Sequence, residues 1–146
     1  MRAVVQRVSR ASVTIGGKLN GKIDKGIMVL LGICETDNQA TIDWMVNKLI
    51  NLRIFSDADD KMNLSVKDIS GGILVVSNFT LYGDAQKGFR PSYTGAAAPV
   101  ISEPLYNQFM ETLRSSCELP IAQGEFGAMM DVELVNDGPV TIIIEK

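Results

Sequence analysis

The chain has 146 residues, enough for one domain (1–146) with a substantial core. Its 46% apolar and 21% charged fractions are ordinary globular values, and no apolar run approaches the ~18 residues of a membrane span. There is no histidine and there are two cysteines, which excludes Ser-His-Asp and Cys-His catalysis and nearly excludes a zinc site of the usual ligand types.

The net charge of −3 is unevenly spread. Residues 1–73 carry ten Lys/Arg against eight Asp/Glu, and residues 74–146 carry four against nine. The first 25 residues hold six basic groups against Asp24 alone. This cluster reads either as a solvated strand face or as a local phosphate-contacting patch. An acidic protein binds nucleic acid only over a small footprint, because affinity scales with the phosphates neutralised. Cys34 and Cys117 stand far apart in apolar surroundings, which suggests buried thiols in a reducing cytosol. The segment from Met1 to Val8 mixes charge with β-formers and lacks a signal-peptide core. A cytoplasmic location is the expectation.

Residues 2–15 read as a long strand with broken alternation and a bulge. Gly16-Gly17 and Asn20-Gly21 are turn signals for a hairpin region. Residues 26–33 form an apolar run that fits a fully buried strand. Asp37 is the expected cap of a helix over about 38–53, with Ile42, Met45, Val46, Leu49 and Ile50 on one face. Asp57, Asp59, Asp60 and Asn63 form an acidic loop. A calcium loop needs Gly at its sixth place and Glu at its twelfth, where Met62 and Asp68 stand here, so it reads as a solvated turn.

Residues 73–76 are a second buried strand, running into Ser77-Asn78-Phe79-Thr80-Leu81. Residues 83–99 form a long loop that includes Lys87-Gly88-Phe89-Arg90-Pro91, and such loops are often functional. Ser102 is the expected cap of a second helix, with Pro104 in its first turn and Leu105, Phe109 and Leu113 buried. Residues 129–135 and 140–145 read as two final strands joined at Gly138-Pro139. The order predicts a single α/β domain: a curved, largely antiparallel, barrel-like sheet with two main helices.

No phosphate-binding Gly-rich loop or dinucleotide fingerprint is present. The chemistry left is that of oriented backbone N–H groups, hydroxyls and the substrate itself. Backbone donors aimed at a developing oxyanion lower a barrier by about 3–4 kcal/mol without any titrating group. Ser77, Asn78, Phe79 and Thr80 end a buried strand, so their backbone is held rigidly. Taken alone, their spacing fits better with strand-end hydroxyls capping local backbone, with Phe79 in the core. Gly138-Pro139 fits a plain hairpin turn, or a rigid Gly-Pro whose carbonyls face a ligand.

The ordered set of motifs goes further. Met1 to Val8, Ser77 to Leu81, Lys87 to Ser92, Phe126-Gly127-Ala128 and Asn136 to Thr141 follow one another in a chain of this size without histidine. Over its whole length the sequence resembles the D-aminoacyl-tRNA deacylases. The resemblance implies a cofactor-free homodimer that hydrolyses the ester joining a D-amino acid, or glycine, to the 3′-terminal ribose of tRNA. It implies a pocket formed by Ser77, Asn78, Phe79 and Thr80, with backbone donors near Phe79. It implies a cis Gly138-Pro139 that enters the opposite subunit's pocket and excludes L-amino acids, and it places Phe126, Gly127 and Ala128 near the terminal adenosine. Family mechanisms invoke either a neighbouring ribose hydroxyl or Thr80 as nucleophile. No general base stands beside Thr80 in sequence, which favours the first. Asn78 departs from the family's usual glutamine by one methylene. The alternatives are a non-catalytic RNA-binding dimer and a small-molecule hydrolase or binding protein using the same pocket.

Overall fold

The computed structural model describes residues 1–146. Strand β1 (Arg2–Ile15) organises the sheet. One edge of β1 pairs antiparallel with β8 (Asp131–Glu145) over nearly its whole length. Its other edge pairs antiparallel with β3 (Gly26–Gly32) through residues 2–8, then with β2 (Lys18–Ile23) through residues 11–15. Beyond β3 the sheet turns parallel, to β6 (Gly72–Ser77) and then β7 (Ile121–Gln123). The sheet is mixed: the pairs made by β1 are antiparallel, and the inner pairs are parallel. Asn20 Nδ2 donates to the Gln123 carbonyl at 2.8 Å, and this draws β2 toward β7 and nearly closes a barrel.

Side-chain parity explains the core. Val8, Ala11, Val13, Ile23, Met28, Leu74 and Val76 form one buried cluster inside the barrel. Val8 and Ala11 reach it from opposite parities, so β1 carries an extra residue between them, where its register with β8 shifts. The larger cluster lies on the other face and joins Val5, Val29 and Val75 to Ile42, Met45, Leu49, Phe109 and Leu113 from the helices. Strands β3 and β6 are thus covered on both faces, which is why they read as unbroken apolar runs.

The helix caps differ from the sequence expectation. Helix α1 (Gln39–Asn51) is capped by Asn38, whose side chain accepts from the Thr41 amide. Asp37 is buried instead; it takes the Met1 ammonium and the Cys34 amide. A buried ammonium needs an opposite charge, and that demand outranks capping. Helix α2 (Pro99–Ser116) starts three residues before Ser102, with Pro99 in its first turn and no side-chain cap at Ala98. The Ser102 hydroxyl donates back to the Ala98 carbonyl at 3.1 Å. Pro104 lies inside the helix, and Tyr106 and Met110 join Phe109 and Leu113 as its buried residues while Leu105 is half-buried.

Three further differences are local. The acidic loop joins two short strands, β4 (Phe55–Ser56) and β5 (Met62–Leu64), and closes on Asp57, whose carboxylate accepts from the Asp59 and Lys61 amides and Asn63. Both cysteines are free and half-buried rather than buried. The two expected C-terminal strands are one element, β8, because β1 spans both halves. Within it the register passes from Gln6↔Thr141 to Val8↔Asn136, so Asp137, Gly138, Pro139 and Val140 bulge out opposite Arg7.

Candidate active site

At the end of β6 the chain makes one last ladder-like bond, from the Asn78 amide to the Leu31 carbonyl at 2.8 Å. It then enters a short 3-10 turn, Phe79–Tyr82. Asn78 caps that turn: its side-chain oxygen accepts from the Thr80 amide at 3.1 Å and from the Thr80 hydroxyl. The first amide of such a turn, here that of Phe79, has no intrahelical acceptor and is left to bind something else. The turn is held from behind by Arg2, which donates to the Leu81 carbonyl at 2.6 Å, lies over the Tyr82 ring and pairs with Glu145. Burial drives the Tyr82 phenol above its ordinary pKa.

The site opens into a pocket of about 700 Å³. Ser77, Asn78 and Phe79 line one side, and Phe126, Gly127 and Ala128 line another. Leu31, Val76, Met130 and the segment from Ala96 to Pro99 supply an apolar wall. Phe79 is not core: it is 58% exposed and meets Tyr93 edge-on at 5.2 Å. Thr80 does not line the pocket; it faces Asn78. Among the lining residues there is no carboxylate, amine, guanidinium or thiol.

Two supports went unnoticed in the sequence. The Ala128 amide bonds the Glu125 carbonyl at 3.2 Å, closing a turn whose third residue, Gly127, has φ +76°, the value that favours glycine there. Phe126 leans on Tyr106 at 5.9 Å, and the Tyr106 hydroxyl donates to the Val75 carbonyl at 3.2 Å. Burial pushes the Tyr106 phenol up to about 12, so it stays a donor at any working pH. As an apolar-stripe residue of α2, Tyr106 gave no sign of this role.

Gly138 and Pro139 are exposed and do not line this pocket. Their peptide bond is cis. Arg7 fastens the loop: it donates to the Asp137 carbonyl at 2.9 Å and the Ile54 carbonyl at 2.6 Å, and pairs with the Asp137 carboxylate at 3.4 Å. Asn136 pinches the neck, accepting from the Val140 amide at 2.8 Å. Arg2 and Arg7, two members of the N-terminal basic cluster, are therefore committed to internal contacts. Arg7 is one of several charged and polar residues of β1, and its charge reads as a surface patch when no partner is visible.

The fold and site define a small barrel-and-two-helix protein with a largely apolar pocket whose lining holds no carboxylate, amine, guanidinium or thiol. The family model described as D-Tyr-tRNA(Tyr) deacylase matches residues 4–145, and the chain belongs to that family. It is 53% identical to a D-aminoacyl-tRNA deacylase of Syntrophobacter fumaroxidans, covering all of this chain and 97% of the relative. It is 54% identical to another from Chlorobaculum parvum, covering all of this chain and 98% of that one. Among solved structures, the c-Myc DNA Unwinding Element Binding Protein matches with a TM-score of 0.94 and 47% identity, over all of this chain and 99% of its own. A probable eukaryotic D-amino acid tRNA deacylase shares the fold, with a TM-score of 0.83 at 16% identity, over 98% and 97% of the two chains.

Proposed function

We propose that this protein hydrolyses the ester joining a D-amino acid, or glycine, to the terminal ribose of tRNA, and spares L-aminoacyl esters. The observation that carries the reading is a pocket lined by Ser77, Asn78 and Phe79, without a carboxylate, amine or thiol, at a turn whose first amide, that of Phe79, has no acceptor within the turn. In this scheme water attacks the ester carbonyl, the developing oxyanion accepts from the Phe79 amide, and the ribose oxygen leaves with a proton. The neighbouring ribose hydroxyl orients and activates the water. The Thr80 hydroxyl gives its hydrogen to the Asn78 amide oxygen, a very weak base. That supports the substrate-assisted route over a Thr80 nucleophile. Phe126, Gly127 and Ala128 suit the terminal adenosine, since a turn with an aromatic side chain leaves room for a flat base.

The working form in this reading is a homodimer in the cytoplasm, with the tRNA 3′ end as partner and no cofactor. The outer edge of β8 has no strand beside it, and Ile143 on it is 70% exposed. Gly138 and Pro139 project from the same strand, outside their own pocket, which suits insertion into the pocket of a second copy. No helix is long and apolar enough to cross a membrane. The test is a deacylation assay with a chiral pair, D-tyrosyl-tRNA and L-tyrosyl-tRNA, using the purified protein. Release of tyrosine from the D-ester alone is expected. Binding of both without hydrolysis would point to a non-catalytic RNA-binding protein, and hydrolysis of small esters only to a small-molecule hydrolase.

A further inference from the structure

Residues 85–91 form an arm at the mouth of the pocket. Its neck is closed by two backbone bonds between Asp84 and Ser92, of 2.7 and 2.8 Å. The next residue, Tyr93, lines the pocket and packs on Phe79, so the neck is fixed to the site. The tip is open. Phe89 is fully exposed, more so than any other aromatic side chain here. A large apolar ring held wholly in water is the informative kind of exposure when cations flank it. Lys87 and Arg90 stand on either side of it, and neither takes part in an ion pair. Residues 74–146 contain only two other basic residues: Arg114 bonds Gln123, and Lys146 lies over Trp44. The arm thus holds the free positive charge of an acidic half.

We propose that this arm grips the single-stranded 3′ end of the tRNA, with Phe89 stacking on a base that precedes the terminal nucleotide and Lys87 and Arg90 contacting its phosphates. This rests on the proposed deacylase reading, which puts the terminal nucleotide in the pocket. A tip three residues from its neck reaches about 10 Å, outward along the strand leaving the pocket. Exposed aromatic rings interleaved with cations are how single strands are held without sequence preference, because every base has a π-face. Duplex bases are already stacked and offer Phe89 nothing, so the single-stranded end is the part of tRNA that this chemistry fits.

The experiment compares the parent, Phe89→Ala, Phe89→Trp and the double variant Lys87→Ala/Arg90→Ala on D-tyrosyl-tRNA and on D-tyrosyl-adenosine, which lacks the preceding nucleotides. For Phe89→Ala, KM on D-tyrosyl-tRNA should rise about tenfold with kcat unchanged, as expected for loss of one stacked base. Phe89→Trp should restore it, and hydrolysis of D-tyrosyl-adenosine should match the parent throughout. The double variant should flatten the salt dependence of tRNA binding by about 0.7 of a log–log unit per cation removed. A Phe89→Ala variant with unchanged KM on D-tyrosyl-tRNA, or with equal losses on both substrates, would overturn the arm's role. So would a change in oligomeric state by sedimentation, which would make Phe89 a subunit contact. A parent inert toward both substrates would instead bring down the deacylase reading itself.

Discussion

Asn78 lines the pocket and Thr80 does not, yet the Asn78 amide oxygen and the Thr80 hydroxyl are bonded to each other within the turn. Replacing Asn78 by alanine removes the cap on the Thr80 amide, which should lower stability by about 1 kcal/mol. Because the proposed donor is the backbone of Phe79, kcat of Asn78→Ala should stay within about tenfold of the parent, far from the loss that follows removal of an oxyanion donor. Thr80→Ala is the sharper test of mechanism. A deacylase that retains most of its kcat is expected, and a fall of three orders of magnitude in a folded variant would establish Thr80 as the nucleophile. Tyr106→Phe removes a buried donor to the Val75 carbonyl and should cost about 1 kcal/mol in urea unfolding. The phenol's raised pKa carries a sign: its contribution is intact below the ordinary tyrosine value and is lost as pH rises toward about 12. The parent should therefore lose stability above pH ~10 more steeply than Tyr106→Phe.

At the scale of elements, the loop of residues 137–140 decides most. It leaves the ladder opposite Arg7 and is held by that one guanidinium on one side and Asn136 on the other. Gly138 has φ +139°, and a Cβ there would lie 2.9 Å from the Val140 amide nitrogen and 3.0 Å from Arg7. Gly138→Ala should displace the loop without unfolding an exposed segment. Rejecting the wrong enantiomer requires a rigid element that clashes with it, so displacement should erode the D-over-L preference. Arg7→Ala should do the same, lowering the ratio of D to L hydrolysis by about tenfold or more, since small misplacements of a positioning group are costly. Arg10→Ala, exposed on the same strand, is the control and should leave the ratio unchanged. Equal chiral ratios for parent, Gly138→Ala and Arg7→Ala would place the filter elsewhere.

At the scale of the whole molecule, charge and titration set the expectations. With no histidine, the pH–rate profile should show no protein-derived inflection near ~6.5, and a chelator should leave the rate unchanged. Activity lost to a chelator and restored by zinc would sink the substrate-assisted account. Hydrogen bonds from Asn63 and from the Ser65 amide hold the Asp57 and Asp68 carboxyls below their ordinary pKa. Their contribution to stability is present above the unfolded carboxyl value and is lost as pH falls through the depressed folded values. Acid unfolding should be less steep in Asp57→Asn/Asp68→Asn. If only the 3′ end of tRNA is gripped, about 2–4 phosphates are engaged and the log–log salt slope should be no more than a few units. A slope near about −8 would indicate a wide basic footprint instead. Sedimentation should give a dimer; a monomer at micromolar concentration would remove the cross-subunit filter.

Local pattern was enough for much of this protein. The apolar runs of β3 and β6, the face of α1 and the break in β1 were legible because burial on one or two faces imposes its own period on the sequence. The absence of histidine alone excluded most catalytic devices, and the ordered motifs carried the family. What the sequence left open depended on partners distant in the chain. Asp37 reads as a cap until the Met1 ammonium arrives beside it. Ser102 reads as a cap until Pro99 is seen to start the helix. Arg7 reads as surface charge until Asp137 folds back onto it. Phe79 reads as core until the turn after β6 swings it to the pocket's rim. Gly138-Pro139 reads as a hairpin turn until β1 is seen to span both sides of it. For Asp37, Arg7 and Gly138-Pro139 the choice was made by an ion pair, hydrogen bond or strand pairing between remote segments, which leaves no period in either one. For Ser102 and Phe79 it was made by local backbone geometry, the helix start at Pro99 and the turn capped by Asn78.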